Sequence, residues 1–258
     1  MHVYEAGILR TEHRCGTMHA IKLECPPIAS EILPGQFVQV RVSAGTDPFL
    51  RRTFSVSGAS PDSGSIELLV DTVGRGTELL CSMKRGGIID IIGPLGTGFD
   101  IVQANGFHAV LVGGGSGAAP LIFLADRLSR TKGNRIDFLY GARTESLLRA
   151  VTGLPKNVVF HAATDDGSSG YHGFVTPLLE TFFADSIPSM VYTCGPLPMM
   201  KAVAEICLRG SVRCQVSLEE RMACGFGVCL GCTVMNKEGK MIRSCVEGPV
   251  FYSDEVVL

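Results

Sequence analysis

The sequence predicts a multidomain α+β chain in three parts: an antiparallel β-barrel over 1–100, a doubly wound parallel α/β domain over 101–208 and a small cysteine-bearing domain over 209–258. Three observations carry that expectation. Up to residue 100, short β-branched or alternating runs are separated by glycine turns, the pattern of an antiparallel barrel. From residue 101, strand-like runs alternate with helix-like ones, which argues a parallel sheet covered on both faces. Near the end, Cys224, Cys229, Cys232 and Cys245 stand closely spaced, whereas the other six cysteines are scattered singly.

In the first part the strand candidates are QFVQVRV (36–42), TFSVSGA (53–59), SIELLVDTV (65–73) and IIDIIGP (88–94), with turns at PGQ, SPDSGS, GRGT, KRGG and GPLGTG. In the second, HAVLVGGG leads into AAPLIFLADRLSR. RIDFLYGA, a helix over TESLLRAV, NVVFHAAT, VTPLLETFF, MVYTCG and a helix over PMMKAVAEICLR follow. The apolar stretch 108–125 is long enough to cross a membrane. Four glycines (Gly113, Gly114, Gly115, Gly117) and Pro120 break it, so a buried strand, a glycine turn and a buried helix explain it better. In the third part NKEG reads as a hairpin turn. That part is too small for a core of its own, and ligation of a metal group would supply much of its stability.

A chain of 258 residues has room for ample core. The net charge of −2, without a run of Lys or Arg, disfavours nucleic acid and anionic membrane as partners. The opening MHVYEAGILRTEHR has no apolar signal region, so the ten cysteines point to a reducing, cytoplasmic setting. The six histidines are dispersed and form no acid–base motif with a carboxylate, so no catalytic residue is expected.

The cysteine spacing is C-x4-C-x2-C followed after twelve residues by the fourth Cys, the plant-type [2Fe–2S] spacing. Structural zinc favours paired short knuckles instead. Glycines at 225, 227 and 231 allow a tight loop that aims backbone N–H groups at sulfur. Upstream, Arg52-Thr53-Phe54-Ser55 offers a guanidinium fork for phosphate, a hydroxyl and an aromatic face. Leu69-Val70-Asp71 runs into Gly76-Thr77, where a helix N-terminus attracts phosphate. The turn Gly113-Gly114-Gly115-Ser116-Gly117 follows a strand and opens a helix, so a pyrophosphate can approach the backbone there. Its spacing is not G-x-G-x-x-G. Cys194-Gly195-Pro196 closes a later strand, where open sheets bind ligands; Cys194 lies near a nicotinamide or is a small buried thiol.

R-x-F-S, VGRGT, GGGSGAAP and CGP, in this order, resemble the ferredoxin–NADP reductase superfamily. With LEERMACGFGVCLGC and SCVEGPVF added, the whole chain resembles the electron-transfer subunit family of dihydroorotate dehydrogenase B. The resemblance implies FAD on Arg52, Thr53, Phe54, Ser55, Leu69, Val70, Asp71, Gly76 and Thr77. It implies NAD in the α/β domain and a [2Fe–2S] cluster on Cys224, Cys229, Cys232 and Cys245. It further implies a separate FMN-containing catalytic subunit, in a heterotetramer with two of each. Electrons would pass from dihydroorotate through FMN, cluster and FAD to NAD+, in pyrimidine biosynthesis. The superfamily often has Tyr where Phe54 stands, so stacking survives and the phenol hydroxyl does not. Two other readings fit: a subunit of another flavin and iron–sulfur reductase acting on ferredoxin or sulfide, and a non-enzymatic, zinc-stapled flavoprotein module. The choice of NAD over NADP rests on the resemblance, because Arg143 either meets a 2′-phosphate or points into water.

Overall fold

The structure, a computed structural model, describes residues 2–102 and 106–258. The first strands are β1 (Val3–Cys15), β2 (Met18–Glu24), β3 (Phe37–Arg41), β4 (Arg52–Ser60), β5 (Ser65–Asp71) and β6 (Ile88–Leu95). They close a barrel in the order β1-β2-β5-β4-β3-β6 with antiparallel pairs throughout. Alternate residues such as Val38, Val40, Val56, Leu68, Val70, Ile89 and Ile91 fill its interior. Each such burial contributes roughly 1.5–3 kcal/mol. Two short helices, α1 (Pro26–Glu31) and α2 (Arg75–Ser82), attach to the barrel, and Leu80 of α2 enters its core.

The second unit runs β7 (His108–Gly114), a 3₁₀ turn at Gly115–Gly117, α3 (Ala118–Ser129), β8 (Arg135–Ala142), β9 (Val158–Thr164), β10 (Tyr171–His172) and α4 (Val175–Asp185). It continues with β11 (Met190–Cys194), α5 (Leu197–Arg209) and β12 (Cys214–Ser217). The seven-stranded sheet has the order β10-β9-β8-β7-β11-β12-β15, its last member being β15 (Val250–Tyr252). β7 through β12 are parallel, and β15 adds an antiparallel edge. The chain leaves β7 toward β8 on one side and fills β11 and β12 on the other. The switch point is therefore between β7 and β11, where open sheets bind ligands. Among the described residues no helix is long and apolar enough to cross a membrane.

One expectation is corrected in detail. TESLLRAV is a 3₁₀ segment, Glu145–Ala150, not an α-helix. Its short run ends ahead of Gly153 (φ +73°) and Pro155, too soon to propagate α-helical bonds. The segment 209–258 is tied to the sheet by β12 and β15, which extend it. Between them lie the cysteine loop and a hairpin, β13 (Thr233–Met235) and β14 (Met241–Arg243). The hairpin turn forms at NKEG as expected: Asn236 Oδ1 accepts from the Glu238 and Lys240 amides, and Gly239 takes φ +79°.

The barrel and the sheet share their cores. Phe123 of α3 is buried among barrel residues. Cys15, Met18 and Leu69 of the barrel are buried among sheet residues. The cysteine segment docks on the barrel through Cys232, Cys245, Phe37, Ile92 and Leu95.

Candidate cofactor sites

The R-x-F-S segment sits where β4 separates from β5. Residues Val56–Ser60 pair with β5, whereas Arg52–Ser55 pair only with β3. β5 continues past Leu68 paired with β2 alone, so Leu69–Asp71 also present a free edge. The two free edges open on the same side, and backbone groups there are available to a ligand. Arg52 lies across the start of α2, and a Cβ added at Gly76 would fall 2.5 Å from its Nε. Glycine is therefore what lets the guanidinium reach the helix N-terminus. Thr77 is buried and its hydroxyl caps the turn, accepting from the Val73 and Gly74 amides. Leu69 and Val70 are also buried, so of that triplet only Asp71 offers a side chain outward. Phe54 packs on the barrel core and is half-buried. Thr53 and Ser55 lie opposite Gln39 and Phe37, on the face that carries the cysteine segment. This donor set, a guanidinium beside a helix N-terminus and two free strand edges, fits the diphosphate and ring of a flavin dinucleotide.

At the switch point the glycine turn meets CGP. A Cβ at Gly117 would fall 2.3 Å from the Cys194 carbonyl oxygen, and one at Gly195 would fall 2.8 Å from the Gly114 carbonyl oxygen. Only glycines let these loops touch. The cleft between barrel and sheet, about 620 Å³, is lined by Asp71, Gly114, Gly115, Tyr140, Arg143 and Pro196. The half-buried backbone at Gly115 and Ser116, at the β7–α3 junction, fits a nicotinamide dinucleotide's pyrophosphate. Cys194 itself is buried, and burial pushes its thiol far above the usual range. Arg143 is exposed on the cleft wall.

The cysteine loop has no regular secondary structure from 219 to 232. Gly225 and Gly227 take φ +78° and +88°. Burial pushes the Cys224 thiol up, but the backbone N–H groups of Cys229, Phe226 and Val228 outweigh it and bring the thiol down to about 6. The loop is therefore built to hold a thiolate. The Cys229 amide donates to Cys224 Sγ and the Gly231 amide to Cys229 Sγ, both at 3.5 Å. Cys245 is pushed up to about 12 by burial and by Cys232 beside it. Among the described residues no three His, Cys, Asp or Glu side chains converge as they would on one ion. The Cys224 thiol has Cys229 beside it, and the Cys245 thiol has Cys232 beside it. That division suits a two-iron cluster, which needs two thiolates per iron. All ten cysteines are free.

Three sequence-family profiles match in succession. They are an oxidoreductase FAD-binding domain over 14–99, an oxidoreductase NAD-binding domain over 111–205 and the iron–sulfur cluster binding domain of dihydroorotate dehydrogenase B over 219–257. The dihydroorotate dehydrogenase B (NAD(+)) electron transfer subunit of Desulforamulus reducens is 37% identical, over 99% of this chain and 98% of that protein. The chain belongs to this family of electron transfer subunits. A homologue of the subunit from Aquifex aeolicus is 38% identical over 98% of each chain. Among solved structures, a chain of the NADH-dependent reduced ferredoxin–NADP oxidoreductase, studied for flavin-based electron bifurcation, superposes with TM-score 0.88. It is 30% identical and covers 98% of this chain and 89% of that one. A ferredoxin reductase of carbazole 1,9a-dioxygenase shares the fold at TM-score 0.69 and 23% identity, over 82% of this chain and 66% of that one. The chain is accordingly an oxidoreductase subunit with FAD, NAD and iron–sulfur domains, and its family works with a catalytic partner.

Three features of this family member escaped sequence reasoning. Gln39 is fully buried beneath the cysteine loop, and one glutamine in an alternating strand carries no signal of that. Glu219 follows β12 and lines a second pocket with Asp71, Gly115 and Gly195; burial, then the Asp71 charge, raises its carboxyl above the usual range. Its side chain reaches solvent at the rim. His108 and His161 both hydrogen-bond buried Asp137 at 2.8 Å, and the three come from neighbouring strands. The periodicity of one strand cannot show such a cross-strand group.

Proposed function

We propose that this chain relays electrons between an FMN-containing dihydroorotate dehydrogenase subunit and NAD+ in pyrimidine biosynthesis, in a cytoplasmic assembly with two copies of each subunit. The observation that carries the reading is the adjacency of the three sites. β4 borders the free-edge opening along one edge and the cysteine loop on one face, and Asp71 borders both the opening and the nicotinamide cleft. When bound, the cluster exchanges single electrons, FAD one or two, and NAD+ a pair as hydride.

In this reading the Arg52 guanidinium and the Gly76 and Thr77 amides neutralise the flavin diphosphate. Phe54 offers the ring a face, and Thr53 and Ser55 shape the strand beneath it. The backbone of Leu69 and Val70, with Asp71, borders the flavin. Backbone at Gly113, Gly114, Gly115, Gly117, Gly195 and Pro196 receives the nicotinamide dinucleotide, and Cys194, buried and protonated, packs below. Cys224 and Cys229 hold one iron, Cys232 and Cys245 the other. Around the loop Phe226, Val228 and Leu230 are 38%, 73% and 59% exposed, an apolar rim suited to the partner subunit.

The test is spectroscopic and catalytic. Purified protein is expected to show flavin bands with broad iron–sulfur absorbance, and to pass electrons from NADH to artificial acceptors. Dihydroorotate oxidation is expected only after the catalytic subunit is added. Oxidation by this chain alone, or zinc in place of iron, overturns the reading. The full-length likeness to the ferredoxin–NADP oxidoreductase chain favours a second reading as a ferredoxin-linked subunit. Co-purification with an FMN-containing partner separates the two.

A further inference from the structure

Gln39 is a polar side chain with no exposure at all, on a barrel strand whose other buried residues are apolar. Its Nε2 donates to Thr53 Oγ1 at 2.8 Å, across the β3–β4 pair. Its Oε1 is buried and has no hydrogen-bond partner. A buried acceptor left unpaired is unfavourable, and methionine or leucine would fill the same volume without that cost. The loop explains what the carboxamide touches. Gly225, buried and at φ +78°, lies flat on it: an added Cβ would fall 2.6 Å from Nε2 and 2.7 Å from Cγ. Gly225 directly follows Cys224, and Thr53 lies within R-x-F-S. Gln39 therefore touches both the flavin strand and the cysteine loop, and its carboxamide nitrogen lies against each.

We propose that Gln39 is a positioning residue that fixes the cysteine loop against the flavin strand and so sets how fast electrons cross between cluster and flavin. It rests on the assignment of R-x-F-S to FAD and of the four cysteines to the cluster. Electron exchange between two fixed centres falls steeply with separation and depends on what lies between them. A hydrogen-bonded carboxamide wedged between loop and strand controls both. It also places a dipole beside Cys224, and dipoles near a cluster thiolate shift its potential.

Gln39→Met keeps the volume and removes both hydrogen-bonding atoms. In holoprotein with full flavin and iron, reduction of flavin by NADH is expected to stay within about twofold of the parent. Onward reduction of the cluster in the same stopped-flow trace is expected to slow by about tenfold, as a small misplacement of reacting groups does. The electron paramagnetic resonance spectrum of the reduced cluster should shift in its g values. Thr53→Val, which removes the acceptor, should slow the same step, and the double variant should be no slower than the slower single one. An unchanged spectrum with an unchanged cluster rate overturns the proposal. If Gln39→Met does not fold or load, Gln39→Glu places an acidic group at the same spot. It should then lower the cluster midpoint potential, and an unchanged potential overturns the proposal. Arg52→Ala and Cys232→Ser test the underlying assignment through flavin and iron content, so either failure is recognised separately.

Discussion

The flavin slot and the cysteine loop border one strand yet are built in opposite ways. The slot is made of regular structure. β4, β5 and α2 are held by ladders and by a filled barrel, and the opening exists because the β4–β5 ladder ends at the Val56–Leu68 pair. The loop has no ladder from 219 to 232 and turns on glycines at positive φ, anchored by Cys232 and Cys245 against Phe37, Ile92 and Leu95. The slot should keep its shape without its ligand. The loop depends on its ligand for order, since metal binding and folding are linked where no preformed core exists.

The contrast breaks first at the cysteines. Cys232→Ser removes a buried thiol of the proposed cluster set, so iron should be lost almost completely while flavin absorbance persists. Limited proteolysis should then cut the loop before the barrel, and equal resistance in the two regions would refute the contrast. Next comes Arg52→Ala. A charge-assisted hydrogen bond contributes about 1.5–3 kcal/mol, so FAD affinity should fall by about one to two decades. Iron content should hold, and flavin fluorescence on titration measures the change. Gly117→Ala is smaller and sits in neither region: its Cβ would meet the Cys194 carbonyl oxygen at 2.3 Å. Overpacking of that kind costs about 1–3 kcal/mol, so the melting temperature should drop and the KM for NADH rise with both other cofactors retained.

A control lies at the far end of the sheet. Burial raises the Asp137 carboxyl, but hydrogen bonds from His161 and His108, with the Arg135 charge, outweigh it and hold the group below its ordinary range. A depressed carboxyl stabilises the fold above its unfolded pKa of about 4 and loses that contribution as pH falls through the folded value. Asp137→Asn should therefore lower stability near neutrality by about 1–2 kcal/mol and approach the parent in acid, with flavin and iron unchanged. The smallest effect is expected for Phe54→Tyr, within about 0.5 kcal/mol in FAD affinity, because the ring already sits half-exposed at the slot.

How much the sequence shows follows the same division. The cysteine loop was legible as a glycine-turned loop, since cysteine spacing and glycine freedom are local properties. So were the glycine turn of β7 and the NKEG hairpin. The flavin slot was legible as a motif, not as an opening, because the parting of β4 from β5 depends on register between strands. Three things lay beyond local reading. Gln39 matters only because a loop nearly two hundred residues later rests on it. Asp137 gains meaning from histidines on two neighbouring strands. The tie between the third part and the sheet depends on β15 returning to pair with β12 after the cysteine segment, and the periodicity of three residues does not announce such a return.

That return has a consequence of its own. Ser217 and Val250 face each other across β12 and β15, so everything between them leaves and re-enters the sheet at one point. The cysteine segment is topologically an inserted cassette on an otherwise complete two-domain reductase. A chain of this design can exchange its wiring for another relay, or shed it for a short turn, while the frame that handles nucleotides stays as it is.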